Sequence, residues 1–170
     1  MPLTANQKRA RRMTFIFAVA CAGLLTVGWY IATNMRGNEP TTLDGVSREV
    51  LTGVDDIQSS LPASAIVLSA DETDVSACPD GGDGQQFAVV RRITVAEDFD
   101  ETGWMSDLVD RYQARYRWNA TLQKLDHVDK IEITIVGPPL IIYRVTNNSA
   151  SQGPQVLIRS ESRCTVPAVD

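Results

Sequence analysis

The most conspicuous pattern along the chain is an uninterrupted apolar run. Residues 13–32 read MTFIFAVACAGLLTVGWYIA, without one charged side chain. At about 1.5 Å rise per residue these twenty positions cover the roughly 30 Å of a hydrocarbon core. A helix packed in a globular core keeps a polar face, and this run has none. Trp29 and Tyr30 sit near its far end, where their rings suit the headgroup interface, and Arg36 follows. Residues 33–42 are polar and rich in chain breakers (Gly37, Pro40), which predicts a short linker before a domain at 43–170.

Within that domain the periodicity changes. Leu43, Val46, Val50, Val54, Ile57 and Leu61 recur at steps of three and four, predicting a helix that Pro62 stops. Residues 65–69 form a short apolar run, and residues 71–83, with Asp71, Glu72, Asp74, Asp80 and Asp83, read as an acidic surface loop. The stretch QFAVVRRITVA places Phe87, Val89, Arg91, Ile93 and Val95 on one face of a strand. Trp104, Leu108, Tyr112 and Tyr116 repeat at i+4, predicting a helix over 101–116. Ile131, Ile133 and Ile135 alternate with Glu132 and Thr134 in a half-buried strand. After Gly137-Pro138-Pro139, residues 140–145 resume as a second strand, residues 147–154 read as a polar turn, and 155–163 supply a last strand. The expected fold is α+β: a transmembrane helix followed by a two-layer sandwich, with helices on one face of an antiparallel sheet.

Charge orients this arrangement. Lys8, Arg9, Arg11 and Arg12 make residues 1–12 a basic tail without an acid, whereas residues 36–170 carry 12 bases against 21 acids, a net of −9. The basic tail is expected to stay cytoplasmic and the C-terminal domain to lie outside the cell membrane, as a single-pass signal-anchor. Two other readings of the segment stand beside the uncleaved anchor. Cleavage after Ala18-Val19-Ala20 would leave an apolar core of only about seven residues. Lipidation of Cys21 would need a polar stretch after it, where Ala22-Gly23-Leu24-Leu25 continues the run. The acidic outer part also argues against nucleic acid as a partner.

With Cys21 in the apolar run, Cys78 and Cys164 are the remaining pair, and an oxidising compartment favours their union in a disulfide. Chemistry is sparse. His127, the one imidazole, is flanked by Asp126 and Asp129, but nothing completes a triad, and GxSxG, Walker A, GxGxxG, HExxH and CxxC motifs are absent. Asp98, Asp100 and Glu101 offer carboxylates for glycoside hydrolysis, yet they stand where a helix start places caps and acids. The acidic run lacks the ligand order of a calcium loop, and Gly81-Gly82-Asp83-Gly84 lacks the Lys and helix of a phosphate cradle. No metal or cofactor is expected. Arg91, Arg92, Arg111, Arg115 and Arg117 are the one concentration of positive charge, either an anion-binding patch for lipid headgroups or cell-wall phosphates or a set of cations paired with the abundant acids.

Cys78-Pro79-Asp80-Gly81-Gly82, the strand RRITV, the stretch Arg115-Tyr116-Arg117-Trp118, the hairpin EITIVGPPLIIYRV and the closing Ser162-Arg163-Cys164-Thr165-Val166-Pro167 together resemble the layout of a class of actinobacterial membrane-anchored or lipidated envelope proteins, distantly including the mycobacterial LppA-like lipoproteins. The resemblance spans residues 46–167 and brings no catalytic residue. It implies a non-enzymatic binding or accessory module of the cell envelope, held in membrane lipid through residues 13–32 and docking a protein or a surface polymer. An accessory subunit of an integral membrane complex, and after it an envelope hydrolase, are the alternative expectations.

Overall fold

The computed structural model describes residues 41–79, 81–125, 130–150 and 153–165. The apolar run at 13–32, Cys21 and the Asp126-His127-Asp129 group lie outside these residues. Among the described residues no helix is long and apolar enough to cross a membrane.

Helix α1 (Leu43–Gln58) forms where the first stripe predicted it. Thr42 caps its start by accepting a hydrogen bond from the Gly45 amide at 3.2 Å, satisfying one of the donors that a helix start leaves open. Val46, Val50, Val54 and Ile57 are completely buried. Strands β1 (Ile66–Ala77) and β2 (Gln85–Val95) follow as an antiparallel pair. Helix α2 (Glu101–Gln113), strand β3 (Asn119–Leu125), strand β4 (Lys130–Gly137), strand β5 (Ile141–Ala150) and strand β6 (Gly153–Glu161) complete the order. The six strands make one antiparallel sheet in the order β1-β2-β6-β5-β4-β3. Both helices pack on one face, α1 over β2 and β6 and α2 over β3 and β4, giving the α+β sandwich.

Four expectations are corrected. The acidic stretch 71–77 is strand, not loop: Asp71 stands opposite Arg91 across the β1–β2 ladder and Glu72, opposite Val90, reaches diagonally to Arg92, so cross-strand ion pairs hold what composition reads as a turn. Its side chains are exposed because β1 is an edge strand, where charges are tolerated and block further pairing. The second helix ends at Gln113 rather than Tyr116, with Ala114 as its C-cap, and Arg117 takes a positive φ of 65° where the chain turns into β3. Tyr116, the fourth member of the predicted stripe, is consequently 90% exposed. Strand β3 was not predicted; its sequence NATLQKL carries one buried side chain, Ala120. Finally, the polar segment 147–154 contributes the end of β5 and the start of β6, so that hairpin turns within a few residues of Gly153.

The core lies between the helices and the sheet. Phe87, Val89, Ile93 and Val95 of β2 meet Ile133 and Ile135 of β4, Tyr143 and Val145 of β5, and Val156 and Ile158 of β6. Gly53 of α1 faces the Tyr143 ring so closely that a Cβ there would overlap the phenol. Cys78, just past β1, is bonded to Cys164, just past β6, with Cα atoms 5.8 Å apart and a sequence separation of 86. Gly84 packs against this bridge and the Thr165 carbonyl, where any side chain would collide.

Candidate binding surface

The four arginines expected as an anion patch divide between two places, and all meet carboxylates. Arg91 projects from β2 toward α1 and is 9% exposed. Its Nε and Nη2 donate to the two Asp71 oxygens at 2.6 and 2.7 Å, while Nη1 donates to Asp55 at 2.6 Å and to Gln58 at 2.9 Å. This two-pronged geometry fits a planar guanidinium on a carboxylate. The hydrogen bonds from Arg91 hold Asp71 below the usual carboxylate range, against the opposing effect of burial, and the same contacts raise Arg91. On the opposite face of β2, Arg92 pairs with Glu72 at 2.7 Å in solvent.

Arg111 and Arg115 converge on one acid, Asp56. Arg115 lies 2.6 Å from Oδ2 and Arg111 lies 3.3 Å from Oδ1. The Tyr112 hydroxyl donates to Oδ2 at 2.6 Å. Hydrogen bonding from Arg115 is the largest influence holding Asp56 below its ordinary value. Burial of the phenol, with the charge of Asp56 beside it, pushes the Tyr112 hydroxyl well upward. Arg115 also stacks over the Tyr112 ring at 4.5 Å, and Tyr112, Trp118 and Tyr143 stand in a row of neighbouring rings. The result is a clamp joining the two helices. Arg117 stands apart on the exposed turn before β3, and no ion pair engages it among the described residues.

The carboxylates near the start of α2 take helix-start positions. Asp100 accepts from the Gly103 amide at 2.9 Å as the cap, Glu101 occupies the first turn, and Asp98 is exposed. Burial raises the Glu101 carboxyl, opposed by a hydrogen bond from Asn147. Among the described residues no three His, Cys, Asp or Glu side chains gather as a metal set.

The sequence reading missed the surface with unspent charge. Among the described residues no helix covers the second face of the sheet. There Arg144 of β5 stands directly opposite Arg159 of β6, both exposed. Directly opposed side chains have Cβ atoms about 5 Å apart, and like charges in that relationship repel. No carboxylate among the described residues pairs with either. Along the same rung Thr134 and Thr121 continue on β4 and β3, and Val90 lies on β2. Leu157 and Ile142 flank the two arginines on the neighbouring rungs, which also carry Glu161, opposite Ile142, and Glu132, one strand over from Thr146. The pairing joins residues fifteen apart in sequence and depends on the β5–β6 register, so only the alternation within each strand signals it beforehand.

Comparison of the chain with protein-family models, with curated proteins and with solved structures finds no match.

Proposed function

We propose that the chain is a non-enzymatic binding or accessory module of the cell envelope, anchored in the membrane by residues 13–32 and displaying the sandwich outside. The observation that carries this reading is the Cys78–Cys164 bridge, which unites the two cysteines outside the apolar run. Such bridges persist in oxidising compartments and are rare in the cytosol. The open sheet face supports the binding role, because two guanidiniums without an ion pair among the described residues suit a partner that presents carboxylates. Like charges opposed on a ladder are a stability cost that a docking surface explains.

The test is co-purification after gentle detergent extraction, run with the full chain and with the fragment from Thr42 onward. A partner retained by the fragment and lost on Arg144→Glu with Arg159→Glu supports a binding module. A stoichiometric membrane partner that requires residues 13–32 moves the reading to an accessory subunit. Recovery of the intact chain in the soluble fraction, or labelling of Cys78 and Cys164 as free thiols in living cells, overturns it.

A further inference from the structure

The open face of the sheet carries both signs of charge, sorted into rows. Positions two apart on a strand share a face and lie about 6.8 Å from each other along it. Arg144 and Arg159 make one row across β5 and β6. The row before it holds Glu161 beside Ile142, and the row after it holds Glu132 of β4, level with Thr146 and Leu157. None of these four charged side chains has an ion pair among the described residues, whereas Arg92 and Glu72 on the same face satisfy each other. Asp74 and Lys130 stand at the margins, and Val90, Val136, Ile142 and Leu157 lie between the charges.

That sorting decides which kind of partner fits. A polyanion offering an unbroken run of negative charge would meet Glu161 and Glu132 about 7 Å to either side of the arginines, within a Debye length. A surface that alternates its signs meets no such penalty, and the chain itself owns one: the same face on a second copy. A half-turn about a line parallel to the rows lays the arginine row of one copy against an acidic row of the other, and symmetry supplies the reverse contact. Arginine set among apolar side chains is also the usual make-up of an interface centre. Six strands and four rows cover about 600 Å² per copy, or about 1,200 Å² for the pair, the small end of specific interfaces.

Both edges of the sheet are guarded against the other route to self-association. Strand β1 lines its edge with Asp71, Glu72 and Asp74, and Asp74 accepts from the Val75 amide at 2.9 Å. On β3, Gln113 donates to the Ala120 carbonyl at 2.9 Å, and Lys124 adds a charge. Charged and capped edges block strand addition, which leaves the face.

We propose that the open face is the contact surface of a homodimer, in which two sheets pack face to face and Arg144 and Arg159 of one copy pair with Glu132 and Glu161 of the other. The proposal deepens the binding role given to this face above and rests on it. An interface of this size comes apart on dilution, so the single copy prevails at low concentration.

The test uses the full chain with Cys21→Ala in mild detergent, carrying Thr134→Cys on the open face or Asp107→Cys on the exposed side of α2. A short bismaleimide should join copies through position 134 about tenfold more than through position 107 at about 100 μM, and the excess should vanish on dilution. Reversing the arginines (Arg144→Glu with Arg159→Glu) or the acids (Glu132→Arg with Glu161→Arg) leaves the centre of the face with a single sign and should remove the excess. Mixing the two variants should restore it to the unsubstituted level or above, because their faces are then complementary. Misfolding of either variant cannot produce that restoration. Equal yields at both positions, a yield that neither reversal changes, or a mixture that stays uncoupled overturns the dimer. If a different partner co-purifies with the chain and is lost on the arginine reversal while position 134 shows no excess, the second copy is overturned and the binding role stands. If no partner is lost and no excess appears, both are overturned.

Discussion

Asp56 on α1 holds Arg115, two residues beyond the end of α2, at 2.6 Å. The contact ties the two helices to each other, and it makes their packing sensitive to acid. Hydrogen bonds to arginine lower both Asp56 and Asp71 relative to the unfolded chain. A carboxyl lowered by folding adds stability that is present above its unfolded value, near 4, and is lost as pH falls through the folded value. Urea midpoints should therefore hold between neutrality and about pH 5 and drop below about pH 4. Asp56→Asn should flatten that acid limb; an unchanged limb would show that Asp56 carries none of it.

Glu101 runs the other way. Burial raises its carboxyl, so its contribution is favourable when protonated and is lost as pH rises through the raised value. Glu101→Gln should gain stability at neutral pH and gain nothing at pH 3, a contrast that urea titration at the two values measures directly.

Gly53 breaks the propensity rule for helices, and Tyr143 is the reason. Replacing a helix-interior glycine with alanine ordinarily stabilises by about 1 kcal/mol. Here the new methyl group would overlap the Tyr143 phenol, whose hydroxyl is pushed up to about 12 by burial, with Glu49 and Asp56 adding. Gly53→Ala should cost about 1–3 kcal/mol through overpacking. Adding Tyr143→Phe removes the nearest atom and should recover part of the loss; a cycle showing simple additivity would place the damage elsewhere.

The Cys78–Cys164 bridge closes a loop across most of the domain. With the cysteines separated by 86 positions, the chain-entropy relation gives about 4–5 kcal/mol for the cross-link. Reduction, or Cys78→Ala with Cys164→Ala, should lower the urea midpoint by a corresponding amount without changing the fold at low denaturant. A shift below about 1 kcal/mol would mean that the reduced chain keeps these ends together by other contacts.

How far the sequence foretold the fold depended on where each element sits in the sheet. Helix α1 and strands β2 and β4 bury one face completely, so Val46, Val50, Val54, Phe87, Val89, Ile131 and Ile133 announce their own period. The edge strands β1 and β3 bury almost nothing, and Asp71, Glu72 and Asp74 in one and NATLQKL in the other carry no such period. Their order comes from partners distant in sequence: Arg91 and Arg92 for β1, and Ile133 and Ile135 for β3. The same limit hid the candidate surface. Five arginines close together in sequence drew attention, whereas four of them are absorbed by acids, and the opposed Arg144 and Arg159 depend on a register that no local pattern encodes.

That opposition yields a last prediction. If the Arg144–Arg159 rung is kept for a partner, removing it should help the isolated protein. Arg144→Glu places opposite charges across the β5–β6 ladder and should stabilise by about 0.2–1 kcal/mol, with Arg159→Glu doing the same. The double replacement restores like charges and should forfeit the gain, and all three effects should shrink in high salt because the groups are exposed. Denaturation of the three variants at low and high ionic strength measures this. Should Arg144→Glu destabilise irrespective of salt, the guanidinium would be serving the sheet through its aliphatic stem on Leu157 or Ile142, and the repulsion would no longer argue for a ligand.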